Sequence, residues 1–178
     1  MLIFRIILGC FSLIGLGLTL SSVFTTSWLN EDYPMYPNQP NSTFFHNHYG
    51  IVFLCISFIQ CPGWAIFASL LMNIAFIISF VPFFMLIRLF FYSRKCQKLG
   101  IAEPAQSFFT YMSINMLVLA ICEISAFILT IADAPSYVLG PRDTFSTGYS
   151  CYLALGAGIC WILGFGISVY LRTAEKIL

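Results

Sequence analysis

The chain has 178 residues, of which 60% are hydrophobic and only 8% charged, with 19 phenylalanines and a net charge of +1. A soluble domain carries about 25% charged residues to stay dissolved, so this composition excludes one and points to an integral membrane protein. No basic run is long enough to track a phosphate backbone, which excludes nucleic acid as a partner.

Four apolar runs follow in chain order: Ile3 to Phe24, Trp64 to Phe91, Phe108 to Ala132 and Tyr149 to Leu171. Each reaches the about 20 residues that cross a bilayer. The runs are continuous rather than alternating, which predicts helices and not barrel strands. The first run carries a single basic residue near its start, Arg5, and is long for the apolar region of a signal peptide, so a retained helix is expected. Of the 8 lysines and arginines, all but Arg142 fall at the N-terminus, around the connection between the second and third runs, or after the fourth. The positive-inside rule makes that side cytoplasmic. Both termini are then inside, and residues 1–178 form one four-helix membrane domain. The first extracellular loop is 29–63, the cytoplasmic loop 92–106 and the second extracellular loop 133–148.

The first extracellular loop opens after "FTTSWL", which places Trp28 just outside the first run. "YPMYPNQPN" favours an extended, turn-rich connector, and "NST" at 41–43 makes Asn41 an N-glycosylation acceptor. Residues 49–60 form two β-prone runs with room for a reversal between them. Cys55 and Cys61 lie there, in an oxidising compartment where disulfides persist. Cross-strand neighbours bring alpha carbons to the about 5.5 Å that a disulfide requires. A pair of unpaired thiols fits that compartment poorly. A zinc site built with His46 and His48 is the other alternative, although H-x-H with C-x5-C is not a usual tetrahedral spacing, and no metal is assigned.

Within the second run, Asn73 is polar and Pro82 introduces a kink. Cys96, in "YSRKCQKL", sits beside the membrane among basic residues, a setting that suits reversible S-palmitoylation; a plain cytosolic thiol is the other reading. The third run holds Asn115, expected to hydrogen-bond between helices, and Glu123. An intramembrane carboxyl costs about 2–3 kcal/mol on insertion scales, so Glu123 is expected to face the bundle interior. It is read as structural, with Asn73 its expected partner, ahead of a charge-dependent binding site. Gly9, Gly15 and Gly17 in the first run, and Gly156, Gly158, Gly164 and Gly166 in the fourth, let helix backbones approach closely. Packing of the first helix on the fourth is the favoured use, and a face for a partner helix the alternative.

Trp28, then Gly50, Ile51 and Val52, then Cys55 and Cys61, stand in the order of the W–GLW–C–C signature. In this, and in its loop lengths, the chain resembles the claudin, peripheral-myelin-protein, epithelial-membrane-protein and calcium-channel-gamma tetraspan superfamily. Val52 stands where that family usually has tryptophan, and the two cysteines are closer together than in most members. The resemblance implies an all-α membrane protein: a left-handed four-transmembrane-helix bundle carrying a small extracellular antiparallel β-sheet, with the disulfide joining neighbouring strands. Between Trp28 and Trp64 the only charged side chains are Glu31 and Asp32, which argues against an ion-selective pore lined by loop charges.

No Ser/His/Asp set, Gly-rich phosphate loop or metal motif is present to suggest an enzyme, and four spans show no inverted repeat to suggest alternating access. The expectation is a non-enzymatic protein of the plasma membrane that needs no cofactor or small-molecule substrate and acts by contact within the lipid bilayer. Its partners are other membrane proteins. Adhesion and junction organisation is the first reading, and an auxiliary subunit of an ion channel or neurotransmitter receptor the second.

Overall fold

A computed structural model describes residues 2–34, 44–51, 63–99, 105–133 and 144–174. Within them the chain forms four long helices, α1 (Leu2–Phe24), α2 (Gly63–Leu99), α3 (Ala105–Asp133) and α4 (Tyr149–Ala174), and three strands, β1 (Leu29–Pro34), β2 (Phe44–Tyr49) and β3 (Thr144–Thr147). The stretches long and apolar enough to cross a membrane are Ile3–Phe24, Gly63–Phe91, Ser107–Asp133 and Tyr149–Ala174. They coincide with the four runs read from the sequence.

The helices associate as a four-helix bundle in which α4 packs against both α3 and α1, and α3 against α2; the α1–α2 seam is the most sparsely packed of the four. The distribution of side chains is that of a protein in lipid. Many large apolar groups, such as Ile6, Phe67, Ile77, Phe84 and Ile128, face outward, and small residues share the interior with Leu8, Phe109, Met116 and Trp161. On α2 the buried stripe is Ala65, Ala68, Met72, Ala75 and Ser79. On α4 it includes Cys151, Ala154, Ala157, Gly158, Gly164 and Ser168. Lipid tails are as apolar as leucine, so large side chains gain little hydrophobic energy by turning inward and are buried only where they pack. Small ones are favoured inside because they let backbones pack closely.

The three strands form one antiparallel sheet in the order β2-β1-β3. Leu29 on β1 pairs with Tyr49 on β2 and with Thr147 on β3. β1 takes the centre because it follows α1 after only four residues, 25–28. The sheet therefore stands at the end of the bundle where α1 finishes and α2 and α4 begin.

Two boundaries differ from the sequence reading. α2 does not stop with its apolar stretch at Phe91 but continues to Leu99, and α3 starts at Ala105. The segment 92–106, expected as a loop, is thus helical on both flanks. Arginine, lysine and glutamine are good helix formers, and a started helix adds residues at little cost once it leaves the bilayer. The second described strand lies at Phe44–Tyr49, before the 49–60 segment read as β-prone. Residues 52–62 lie outside the described residues. The helix is continuous through Pro82.

Candidate functional site

The candidate site is the sheet and its mounting on the bundle. At the end of α1 the chain turns, and Trp28 folds back so that its Nε1 donates to the carbonyl of Ser22 at 2.5 Å. The indole is fully buried. It belongs to a cluster with Val23, Ile51, Ala68, Met72, Ala126, Cys151 and Ala154, drawn from all four helices and the chain after β2. Trp28 thus plugs the mouth of the bundle instead of lying among lipid headgroups. Its indole needs a polar partner when buried, and the free carbonyls in the last turn of α1 supply one.

Two further members of the sequence signature lie in the same place. Ile51 is buried against Trp28, and its carbonyl accepts a hydrogen bond from the hydroxyl of Ser69 on α2. Gly50 passes close to the turn after α1: a Cβ there would sit 3.1 Å from the Thr25 carbonyl oxygen and 3.4 Å from the Thr26 Cα. Val52, Cys55, Cys61 and Asn41 lie outside the described residues. The disulfide and the glycan therefore stay with the sequence.

Gly148, which the sequence reading passed over, makes the closest of these approaches. A Cβ at this position would collide with the backbone carbonyl of Ser27. Its amide donates to the Trp28 carbonyl at 2.9 Å, and that of Ser150 donates to the Ser27 carbonyl at 3.1 Å. The Thr25 hydroxyl lies 2.6 Å from the Ser150 hydroxyl. These bonds fasten the start of α4 and the end of β3 to the turn between α1 and β1. The available signal was a glycine between a threonine-rich strand and an apolar helix. On the sheet itself, His48 Nδ1 lies 2.8 Å from Asn30 Oδ1 across the β1–β2 pair, in an exposed position.

A second polar locus lies inside the bundle. Glu123 on α3 is fully buried. Its Oε1 is 2.5 Å from the Thr19 hydroxyl on α1 and 3.4 Å from Trp161 Nε1 on α4. The Thr19 hydroxyl is also 2.9 Å from the Gly15 carbonyl, so one hydroxyl proton serves two acceptors. Among the described residues Glu123 Oε2 has no hydrogen-bond partner. Glu123 thus joins three helices. Thr19 and Trp161 were not singled out from sequence, because threonine and tryptophan are ordinary in apolar spans.

The expected partner of Glu123 needs correction. Asn73 is exposed, and its side chain donates to the Ser69 carbonyl of its own helix at 2.8 Å. Asn115 likewise bonds within its own helix, to the Tyr111 carbonyl at 2.8 Å, and not between helices as expected. Both asparagines use the carbonyl one turn back, which is always at hand on a helix. Besides Glu123 and Trp161, serines tie α3 to α4: Ser113 and Ser168 lie 3.0 Å apart, and Ser168 donates to the Phe109 carbonyl at 3.0 Å. Cys96 falls on the last turns of α2, beyond the apolar span.

Four membrane-spanning helices in one bundle, with a sheet held where α1 leads into β1, define a tetraspan membrane protein. The comparison with protein families narrows the class. Residues 1–177 match the family described as tight junction protein, claudin-like, and the chain belongs to that family. Comparison with curated proteins finds no match.

Proposed function

We propose that this protein acts at the plasma membrane as a non-catalytic adhesion or junction-organising component, with both termini cytoplasmic and the sheet outside. The observation that carries this reading is the mounting of the sheet. Trp28, Ile51 and Gly148 tie the sheet to α1, α2 and α4. A sheet held this way cannot swing on a linker, and a surface fixed before contact loses less entropy on binding. Family membership supports the same reading, as does the placement of the basic residues. The partners on this reading are other copies of the chain or other membrane proteins.

The test is expression in cells that lack junctions, with tagged and untagged cells mixed. Enrichment at contacts between two expressing cells, and not at contacts with a non-expressing neighbour, is the expected result. A uniform surface distribution, together with recovery of a pore-forming subunit in mild detergent, would favour the auxiliary-subunit reading instead.

A further inference from the structure

Asn73 stands on the lipid-facing side of α2, in the half of that helix nearest the sheet. It is exposed, and Ile66, Leu70, Ile77 and Phe84 on the same stripe are all more than 50% exposed. Steps of three, four and seven residues place the five on one helical face. Asn73 follows Gly63, where the span begins, by ten residues, which is roughly 15 Å of helix axis. The hydrocarbon layer is about 30 Å thick, so the carboxamide lies well inside it. A side chain this short cannot reach the headgroups as a lysine or arginine does.

Only part of the amide is used. Its nitrogen donates to the Ser69 carbonyl one turn back at 2.8 Å. A carboxamide has two N–H donors and an acceptor oxygen. Among the described residues the second N–H and Oδ1 of Asn73 have no partner. No water is present in the hydrocarbon to take them up, and a polar group left unmet there carries a cost.

We propose that two copies of the chain associate within one membrane through this face of α2, their Asn73 amides paired across a two-fold axis. One N–H of each amide donates to Oδ1 of the other, while the second N–H stays on the Ser69 carbonyl of its own helix. Polar self-complementarity selects this occupant. Copies in one bilayer share one orientation, so their Asn73 side chains lie at the same depth. Any other chain would have to carry a matching polar group at that depth independently. Ile66, Leu70 and Ile77 surround the pair at the spacing of a helix–helix seam, in which one asparagine fixes register and the number of helices. Arg88, also exposed on α2, lies 15 residues beyond Asn73, roughly 22 Å along the axis. Helices that cross at an angle have separated by that point, so the two arginines do not meet. The pairing lies in the plane of one membrane and does not rest on the adhesion reading.

The test is energy transfer between donor-labelled and acceptor-labelled full-length copies in phosphatidylcholine vesicles, followed as the protein is diluted with lipid. The wild type is expected to self-associate. Asn73→Leu should weaken association about ten-fold, the effect of losing a hydrogen-bonded pair between membrane helices. Asn73→Gln, which keeps the amide, should retain most of it. Cysteine substitution locates the face. Leu70→Cys and Ile77→Cys should give disulfide-linked dimers under mild oxidation, above the level of the wild type with its native cysteines. Leu163→Cys should not, since Leu163 is exposed on α4, across the bundle from α2. These variants leave Asn73 in place, so they test the face even should Asn73→Leu fold poorly. A wild type that stays monomeric would leave the face to lipid or to another chain and overturn the proposal. So would an Asn73→Leu variant that associates as tightly as the wild type, or cross-linking at Leu163→Cys equal to that at Leu70→Cys.

Discussion

The indole of Trp161 on α4 rests on the bare backbone of Gly15 on α1: a Cβ at Gly15 would lie 2.9 Å from the ring. The same indole points its Nε1 toward Thr19 and Glu123, 3.4 Å from each. A methyl group at position 15 must therefore move both a packed ring and a polar junction. Gly15→Ala is expected to destabilise the bundle by about 1–3 kcal/mol, the usual cost of overpacking. Thermal melting in detergent measures it, with Gly17→Ala as the control because Gly17 faces open space. Equal melting of the two variants would remove Trp161–Gly15 from the contacts that hold α1 to α4.

Glu123 is expected to act through shape and hydrogen bonding. Glu123→Gln keeps both and should express and reach the cell surface like the wild type. Glu123→Leu leaves Thr19 its bond to the Gly15 carbonyl but takes away one of the two acceptors near Trp161, Thr19 being the other. The expected loss is on the order of 1 kcal/mol, as for other hydrogen bonds between membrane helices. A Gln variant that folds fully yet loses all function would show that the charge is used directly.

Gly148 should tolerate substitution less well than Gly50. At Gly148 a Cβ collides with the Ser27 carbonyl, whereas at Gly50 it comes within 3.1 Å of the Thr25 carbonyl. Gly148→Ala is expected to loosen β3 from the bundle while the helices, which satisfy their own backbones, still insert. Hydrogen exchange should show faster exchange at the β1 and β3 amides, with little change in α2 and α3. Unchanged protection in the Ala variant would count against the mounting of the sheet described above.

The cysteine pair and the sequon give two tests on the loop. A bridge closing so short a loop stabilises by about 2–3 kcal/mol. Cys55→Ser, Cys61→Ser and the double variant should behave alike, inserting normally but reaching the surface poorly, because each removes the same bond. Single variants that differ sharply from the double would argue against the bridge. Glycosidase should shift the wild type by one glycan and leave Asn41→Gln unshifted.

The number of spans and their limits, the basic asymmetry of the chain and the placing of Trp28 at the end of the first span were all legible in the sequence. Bilayer thickness and the cost of exposed backbone polar groups in lipid act on each segment separately, so a local pattern carries them. The partners of the intramembrane polar residues were not legible. Asn73 and Asn115 turned back to their own helices, while Glu123 met a threonine 104 positions away in the chain. Nor did the sequence mark Gly148 as the glycine that lets β3 and α4 close against Ser27, or Gly15 as the one beneath Trp161. Several glycines looked equivalent, and Gly9 and Gly17 indeed face open space. Which polar group finds a partner, and which glycine is needed, depends on the rotation and depth at which the helices meet. Those are set only when all four pack together, because between helices in lipid close fit drives association.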